Sequence, residues 1–471
     1  MTMNYTSAFF LLLFLMIHLL TQALIPSSKG KNIALLLSSL VVYIWSGPIY
    51  LLVLLGVTLI AWLLGMALSR PIVRERKKLI VICGLVVIIG TLVVLKYGEF
   101  LLSTSQQLFG VPEVLPDMVI PIGISIYTLR LISYLIDVYR SEIPAETNYF
   151  NLLLWSSLFY GVSVGPLFRY AQIRKALSGR KFKLQGLNKG ISRICLGMAK
   201  KYLLADSLTI LVSQYLVRSR VGLSAVPVTG LWLGICLSAL RMYLQFSAYA
   251  DVAVGLSLAS GLPVEENFQY SLCSISVTGL ISKWFISIGD FFRDYVQAPV
   301  THRSSSRLLG YLVCYALFGL WFGGSWSYVL WGILVALLLF VETRYLSKLP
   351  AVLSALLGIA GIFLFFTLLS FTTLPRLGIA LKGLLGLNGN GFYQASTFHG
   401  LAGALPLILS SVLFALPTGT IVHNLWYARY QKQPNMLIIA AVWESAWPLI
   451  LLVLTVVFAV WSNGTAFLIF E

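Results

Sequence analysis

Predominantly apolar stretches recur along this chain, long enough for the roughly 20 residues a helix needs to cross a hydrocarbon layer, and any fold must first house them. They lie near 8–26, 32–47, 48–69, 79–96, 118–138, 149–170, 202–219, 227–262, 307–325, 326–345, 352–374, 400–422 and 437–461. Hydrophobic residues make up 59% of the 471 positions and charged residues only 10%, which excludes an ordinary soluble domain. The runs predict an all-α polytopic membrane protein of about 11–13 transmembrane or re-entrant helices, with the whole of 1–471 as one integral membrane domain. MTMNYTS carries no basic residue ahead of the first run, which reads as a retained span and not as a signal peptide.

The net charge of +17 would suit a nucleic-acid binder, but its distribution does not. Basic residues gather in short loops: Arg70, Arg74, Arg76, Lys77 and Lys78 in one, and Arg174, Lys175, Arg180, Lys181, Lys183, Lys189, Arg193, Lys200 and Lys201 in another. The positive-inside rule makes both cytoplasmic. In the second, Phe182, Leu184, Leu187, Ile191 and Ile194 are spaced among the lysines as in a helix lying on anionic lipid. The five cysteines have neither CxxC nor metal-like spacing, so no metal site is expected and they read as small core hydrophobes.

Polar residues within apolar surroundings mark where chemistry can sit. The segment 283–299, KWFISIGDFFRDYVQAP, sets Lys283, Asp290, Arg293 and Asp294 between long runs, as a polar cavity or an interfacial helix would. Arg130, Asp137 and Arg140 fall near one side of a helix, and Arg241, Gln245 and Tyr249 share another helical face. Trp321, Trp326 and Trp331 flank Gly323-Gly324 as an interfacial belt or a pocket lining would. Asp251, Asp294 and Glu342 could each serve as a buried base or pair with Arg241, Arg293 and Arg344. Of the four histidines, His18 reads as helix packing and His302 and His423 as interfacial. His399 is placed on the outer face, where an exported acceptor would arrive. P-loop and HExxH motifs are absent from the sequence, and no Gly-x-Ser-x-Gly stands in the strand–helix context of a nucleophile elbow.

Six blocks in order resemble the membrane-bound O-acyltransferase (MBOAT) family, in particular the bacterial branch that includes alginate O-acetylation: PIGISIYTLRLISYLIDVYR (121–140), GPLFRY (165–170), LGMAKKYLLADSL (196–208), LQFSAYADVAVGLSLASGLPVEENFQYSL (244–272), KWFISIGDFFRDYVQAP (283–299) and FGLWFGGSWSYVLWG (318–332). The resemblance implies a helical bundle enclosing a tunnel. Residues 115–345 would be its core, with N-terminal helices in 1–100 and C-terminal helices in 350–471. It further implies an acyl donor of the acyl-CoA or acyl-carrier-protein class, no bound cofactor, and a polysaccharide or other envelope acceptor. Envelope-modification partner proteins and a bacterial cytoplasmic membrane location follow from it too. Asp251, Asn267, Lys283, Trp284, Arg293, Asp294, Tyr295 and Trp321 would line the tunnel or its cytoplasmic mouth.

The same comparison exposes a departure at the centre. The family's two signature histidines fall at Phe285 and Phe322 here. Transfer to a hydroxyl needs a base, and loss of a positioned one forfeits on the order of 10²–10⁴ in rate, or roughly 3–5 kcal/mol of barrier. Two expectations therefore stand: an acyltransferase whose base is His399, Asp251 or Asp294, or a catalytically silent relative serving as scaffold or conduit. A transporter is a third, although no paired broken repeat is evident. A titratable group beside Phe322 would favour the enzyme, and apolar packing there the silent relative.

Overall fold

The computed structural model describes residues 14–71, 73–110, 120–162, 164–180, 183–217, 220–398, 401–430 and 433–461. The beginning of the first run, the first residues of the 118–138 and 400–422 runs, Lys181, Phe182 and His399 lie outside them. The described residues are helical with a single isolated β-bridge, in keeping with an all-α polytopic membrane protein. Two compact units emerge, one of 1–191, 253–265 and 466–471 and one of 192–252 and 266–465.

In the first unit, α1 (Met16–Leu24), α2 (Ser28–Ser46), α3 (Pro48–Leu68), α4 (Arg74–Phe109), α5 (Ile124–Tyr139), α6 (Tyr149–Ser157) and α7 (Tyr170–Gly179) follow one another, and α3 packs on α2, α4, α5 and α6. Pro48 starts α3 where its missing N–H costs nothing, and Gly110, in the left-handed region, ends α4. The run at 149–170, expected as one span, is broken: α6 stops at Ser157 and a 3₁₀ turn, Phe159–Gly161, follows. Arg130 explains why the break is tolerated. Fully buried on α5, it donates from Nη1 to the carbonyls of Trp155, Ser156 and Leu158, each at 3.1 Å. Backbone that leaves the helix at membrane depth needs such internal partners.

The second unit begins within α8 (Leu184–Ala199). The run at 202–219 is likewise interrupted, by a π-helical turn over Lys200–Ala205 before α9 (Asp206–Tyr215). Then come α10 (Arg220–Ser224), α11 (Val228–Ala259, whose last turns return to the first unit), α12 (Val277–Ile281), α13 (Ile286–Phe292), α14 (Ala298–Ser304), α15 (Arg307–Phe322) and α16 (Trp326–Arg344). The chain continues through α17 (Ala351–Leu369), α18 (Leu374–Leu384), α19 (Leu401–Ala415), α20 (Thr418–Tyr430) and α21 (Pro434–Trp461). α15 and α16 approach backbone to backbone. A Cβ on Gly319 would come within 2.1 Å of the Tyr328 carbonyl oxygen, and one on Gly332 within 2.0 Å of that of Tyr315.

Among the described residues five helices are long and apolar enough to cross a membrane alone: α3, α4 from Glu75, α11, α16 and α17. α19 and α20 would make a sixth span as a pair bent by 66°. Their exposed leucines, isoleucines and valines, with those of α2–α4, are what a lipid-facing surface requires.

α8 corrects one expectation. The sequence predicts a helix lying on lipid, and Leu184 at its start is exposed, but Ile194, Cys195 and Met198 are buried. Glycines allow this. A Cβ on Gly190 would sit 2.5 Å from the Gly255 carbonyl oxygen, and one on Gly197 2.6 Å from that of Ala248, so α8 lies directly on α11.

Candidate functional site

The loop between α11 and α12 folds back on the start of α13. Phe268 and Trp284 form an antiparallel bridge, Gln269 N donates to the Lys283 carbonyl (3.1 Å) and Ile286 N to the Asn267 carbonyl (3.0 Å). Asn267, fully buried, accepts at Oδ1 from Ser287 N (3.0 Å) and Ser287 Oγ (2.9 Å). Asn267→Ala is expected to cost about 1–3 kcal/mol by stranding those donors. Thermal unfolding of the purified protein measures it.

That clamp sets the backbone at Phe285 in the left-handed region, φ 51° and ψ 49°. A bulky side chain is an outlier there, whereas histidine, asparagine and aspartate are enriched several-fold. Phe285 is nonetheless fully buried, inside a block of rings. Its centroid lies 5.2 Å from Phe246, 4.8 Å from Phe268, 5.2 Å from Trp321 and 5.4 Å from Phe322, the last at an interplanar angle of 90°. Phe322, 2% exposed at the end of α15, also meets Phe318 at 5.4 Å, Trp331 at 5.2 Å and Tyr328 at 6.3 Å. Trp284 sits against Tyr243, Phe246, Phe268, Phe365 and Phe366. Phe285 and Phe322, the positions that the resemblance sets against the family's histidines, are thus in edge-to-face contact. The rings around Phe322 are hydrocarbon except for the half-buried phenol of Tyr328 and the indoles of Trp321 and Trp331. Trp321 belongs to this block, not to an interfacial belt.

The polar residues are placed differently. Asp251 on α11, 3% exposed, accepts from Arg193 Nε at 2.7 Å and from Lys200 Nζ at 2.8 Å. Arg193 also reaches Glu266 through Nη2 at 2.7 Å, and burial raises the Glu266 carboxyl pKa against the opposing pull of that guanidinium. The sequence offers Arg241 as a partner for Asp251, but Arg241 bonds to Gln245 (3.3 Å) one turn along the same helix. Asp294 lies at the surface with Arg293 (3.2 Å), which also holds Asp290 (2.8 Å). Glu342 does not use Arg344 as the sequence offered. Its carboxylate accepts from Val277 N (2.8 Å) and Thr278 N (3.3 Å) at the first turn of α12. Tyr295 is buried against Phe291, and Lys283 is half-buried.

Sequence reasoning missed that Arg193 and Lys200 turn inward. Their spacing of seven residues, two turns of one helix face, was the available signal. It also missed the cavity of about 470 Å³ lined by Arg293, Gln297, Thr301, His302, Arg307 and Tyr311, where His302 stands. Among the described residues no cluster of His, Cys, Asp and Glu could hold a metal.

The family model for MBOAT, the membrane-bound O-acyltransferase family, matches residues 139–352, which include α11, the clamp, the ring block and both phenylalanine positions. A Pseudomonas aeruginosa protein named "Probable alginate O-acetylase AlgI" is 31% identical over 76% of this chain and 71% of its own length. The chain belongs to the membrane-bound O-acyltransferase family. Its namesake in Pseudomonas syringae is 30% identical over 70% of this chain and 64% of its own. The Helicobacter pylori peptidoglycan O-acetyltransferase is 22% identical, and the shared region spans 85% of this MBOAT chain and 83% of the relative. The membership makes the chain a multi-pass membrane protein, and the family points to an acyl donor without identifying it.

Proposed function

We propose that this MBOAT chain is part of a system that acylates envelope polymers in the bacterial cytoplasmic membrane, passing an acyl group to a hydroxyl acceptor. The observation that carries the reading is the 31% identity to an alginate O-acetylase over 76% of the chain. A peptidoglycan O-acetyltransferase and a teichoic acid D-alanyltransferase among its relatives share the same class of envelope substrate. In this reading the donor is an acyl-CoA or acyl-carrier protein arriving at a cytoplasmic mouth bordered by Lys283, Arg293 and Asp294. Asn267, Trp284, Tyr295 and Trp321 shape the path, the Asp251 network fixes its wall, and envelope partner proteins complete the system. Deleting the gene is expected to remove ester-linked acyl groups from the envelope polysaccharide fraction, measured by alkaline release and chromatography, and the wild-type gene should restore them. Unchanged esters would remove the reading.

A second reading concerns who performs the chemistry. The edge-to-face contact of Phe285 with Phe322 leaves no imidazole at either position and fills the point with packed rings. A scaffold or acyl conduit would show such packing, but relatives named for acyl transfer support the first reading over this one. An enzyme would have to draw its base from elsewhere, and His399 is the candidate left by sequence.

A further inference from the structure

In the first unit a buried arginine lies beside a lysine. Arg180, after α7, is 4% exposed, and its Nη2 donates to Gln22 Oε1 at 2.6 Å. Its Nε and Nη1 are buried without an acceptor among the described residues, and no described carboxylate pairs with it. Lys31, also 4% exposed, lies beside it. Its carbonyl accepts from Gln22 Nε2 (3.4 Å), and burial, then the Arg180 charge, hold its ammonium below the usual lysine range. Next to them runs a chain of neutral groups. His18 Nδ1 is 3.0 Å from Ser38 Oγ, His18 Nε2 is 2.6 Å from Tyr160 Oη, and Tyr160 in turn hydrogen-bonds Ser260.

A guanidinium cannot shed its proton to escape burial. Its desolvation costs far more than one hydrogen bond to an amide returns, so an arginine left in this state is poised for an anion. The basic loop that contains Arg180 is the one the positive-inside rule places on the cytoplasmic side, where phosphate groups are at hand.

We propose that Arg180 and Lys31, framed by Gln22 and the His18–Tyr160 pair, form a binding site for a phosphate oxyanion. The guanidinium donors that the protein leaves open would contact the phosphate oxygens and Lys31 would supply the second charge. The phosphate comes from an anionic phospholipid headgroup or from a soluble phosphate ester. The site is independent of whether this chain transfers acyl groups.

The full chain, purified in neutral detergent and stripped of lipid, is titrated with inorganic phosphate and, separately, with phosphatidylglycerol, while its unfolding temperature is followed. A rise of several degrees in wild type that is lost in Arg180→Gln and kept in the exposed control Arg303→Gln supports the site. A response to phosphate marks a free oxyanion site, and a response to phosphatidylglycerol alone marks a headgroup site. Should Arg180→Gln fail to fold, Arg180→Lys takes its place and is expected to bind phosphate at least tenfold more weakly. No response of wild type to either ligand, or an equal response in the Arg180 variant, overturns the proposal.

Discussion

Restoring histidine at both phenylalanine positions, Phe285→His with Phe322→His, is expected to raise acyl transfer by on the order of 10²–10⁴-fold over wild type. The geometry supports a joint effect. The two rings are in contact at 5.4 Å, so imidazoles in their place would be near enough for one to orient the other, and position 285 already has the left-handed backbone that histidine accepts more readily than phenylalanine. Phe322→His alone should give a smaller gain, because a lone imidazole among rings lacks a partner to set its tautomer. The assay is ester formation on the polysaccharide fraction with each variant in a deletion strain. Equal transfer by wild type and the double variant would show that the base lies elsewhere, and loss of wild-type transfer in His399→Ala would place it. The double variant also replaces two buried rings by smaller polar ones, so its folded yield has to be checked against wild type before rates are compared.

Asp251→Ala should be among the most destabilising single changes in the second unit, at about 3–5 kcal/mol, because it strands the buried Lys200 charge and leaves Arg193 with Glu266 alone. Side-chain exposure of only 9% at Lys200 leaves that ammonium little water to turn to. Unfolding temperature in detergent measures the loss, and Lys200→Met in the Asp251→Ala background should recover part of it by removing the stranded charge. The pair of variants separates two roles for Asp251. A structural anchor loses stability and regains some in the double variant, whereas a catalytic base would lose transfer in Asp251→Asn with its unfolding temperature unchanged.

The class of fold was legible in the sequence because lipid imposes one demand on every span: about 20 apolar residues whose backbone bonds close within a helix. The order of the six blocks carried the family, and Phe285 and Phe322 were already visible as departures. Hydropathy is blind to a break whose backbone groups are satisfied from another helix, so the stop at Ser157 could not be read. Arg130, 25 residues before Trp155 in the chain, makes that break possible.

The charge partners were not legible for a related reason. Asp251 could be seen as a carboxylate needing a cation, and Arg241 looked suitable by spacing. The choice of Arg193 and Lys200 instead depends on α8 coming onto α11, which rests on Gly190 and Gly197 admitting close backbone approach. The sequence by itself determined that the chain crosses a membrane as helices, that it has the family's blocks, and that no imidazole stands at the two central positions. Only the tertiary structure decided that those positions touch, that Phe285 is held in a left-handed backbone by the Asn267 clamp, and that Arg180 lies buried with open donors. Composition and local pattern fix which solvent each segment needs, whereas contacts between distant residues depend on how closely helices approach.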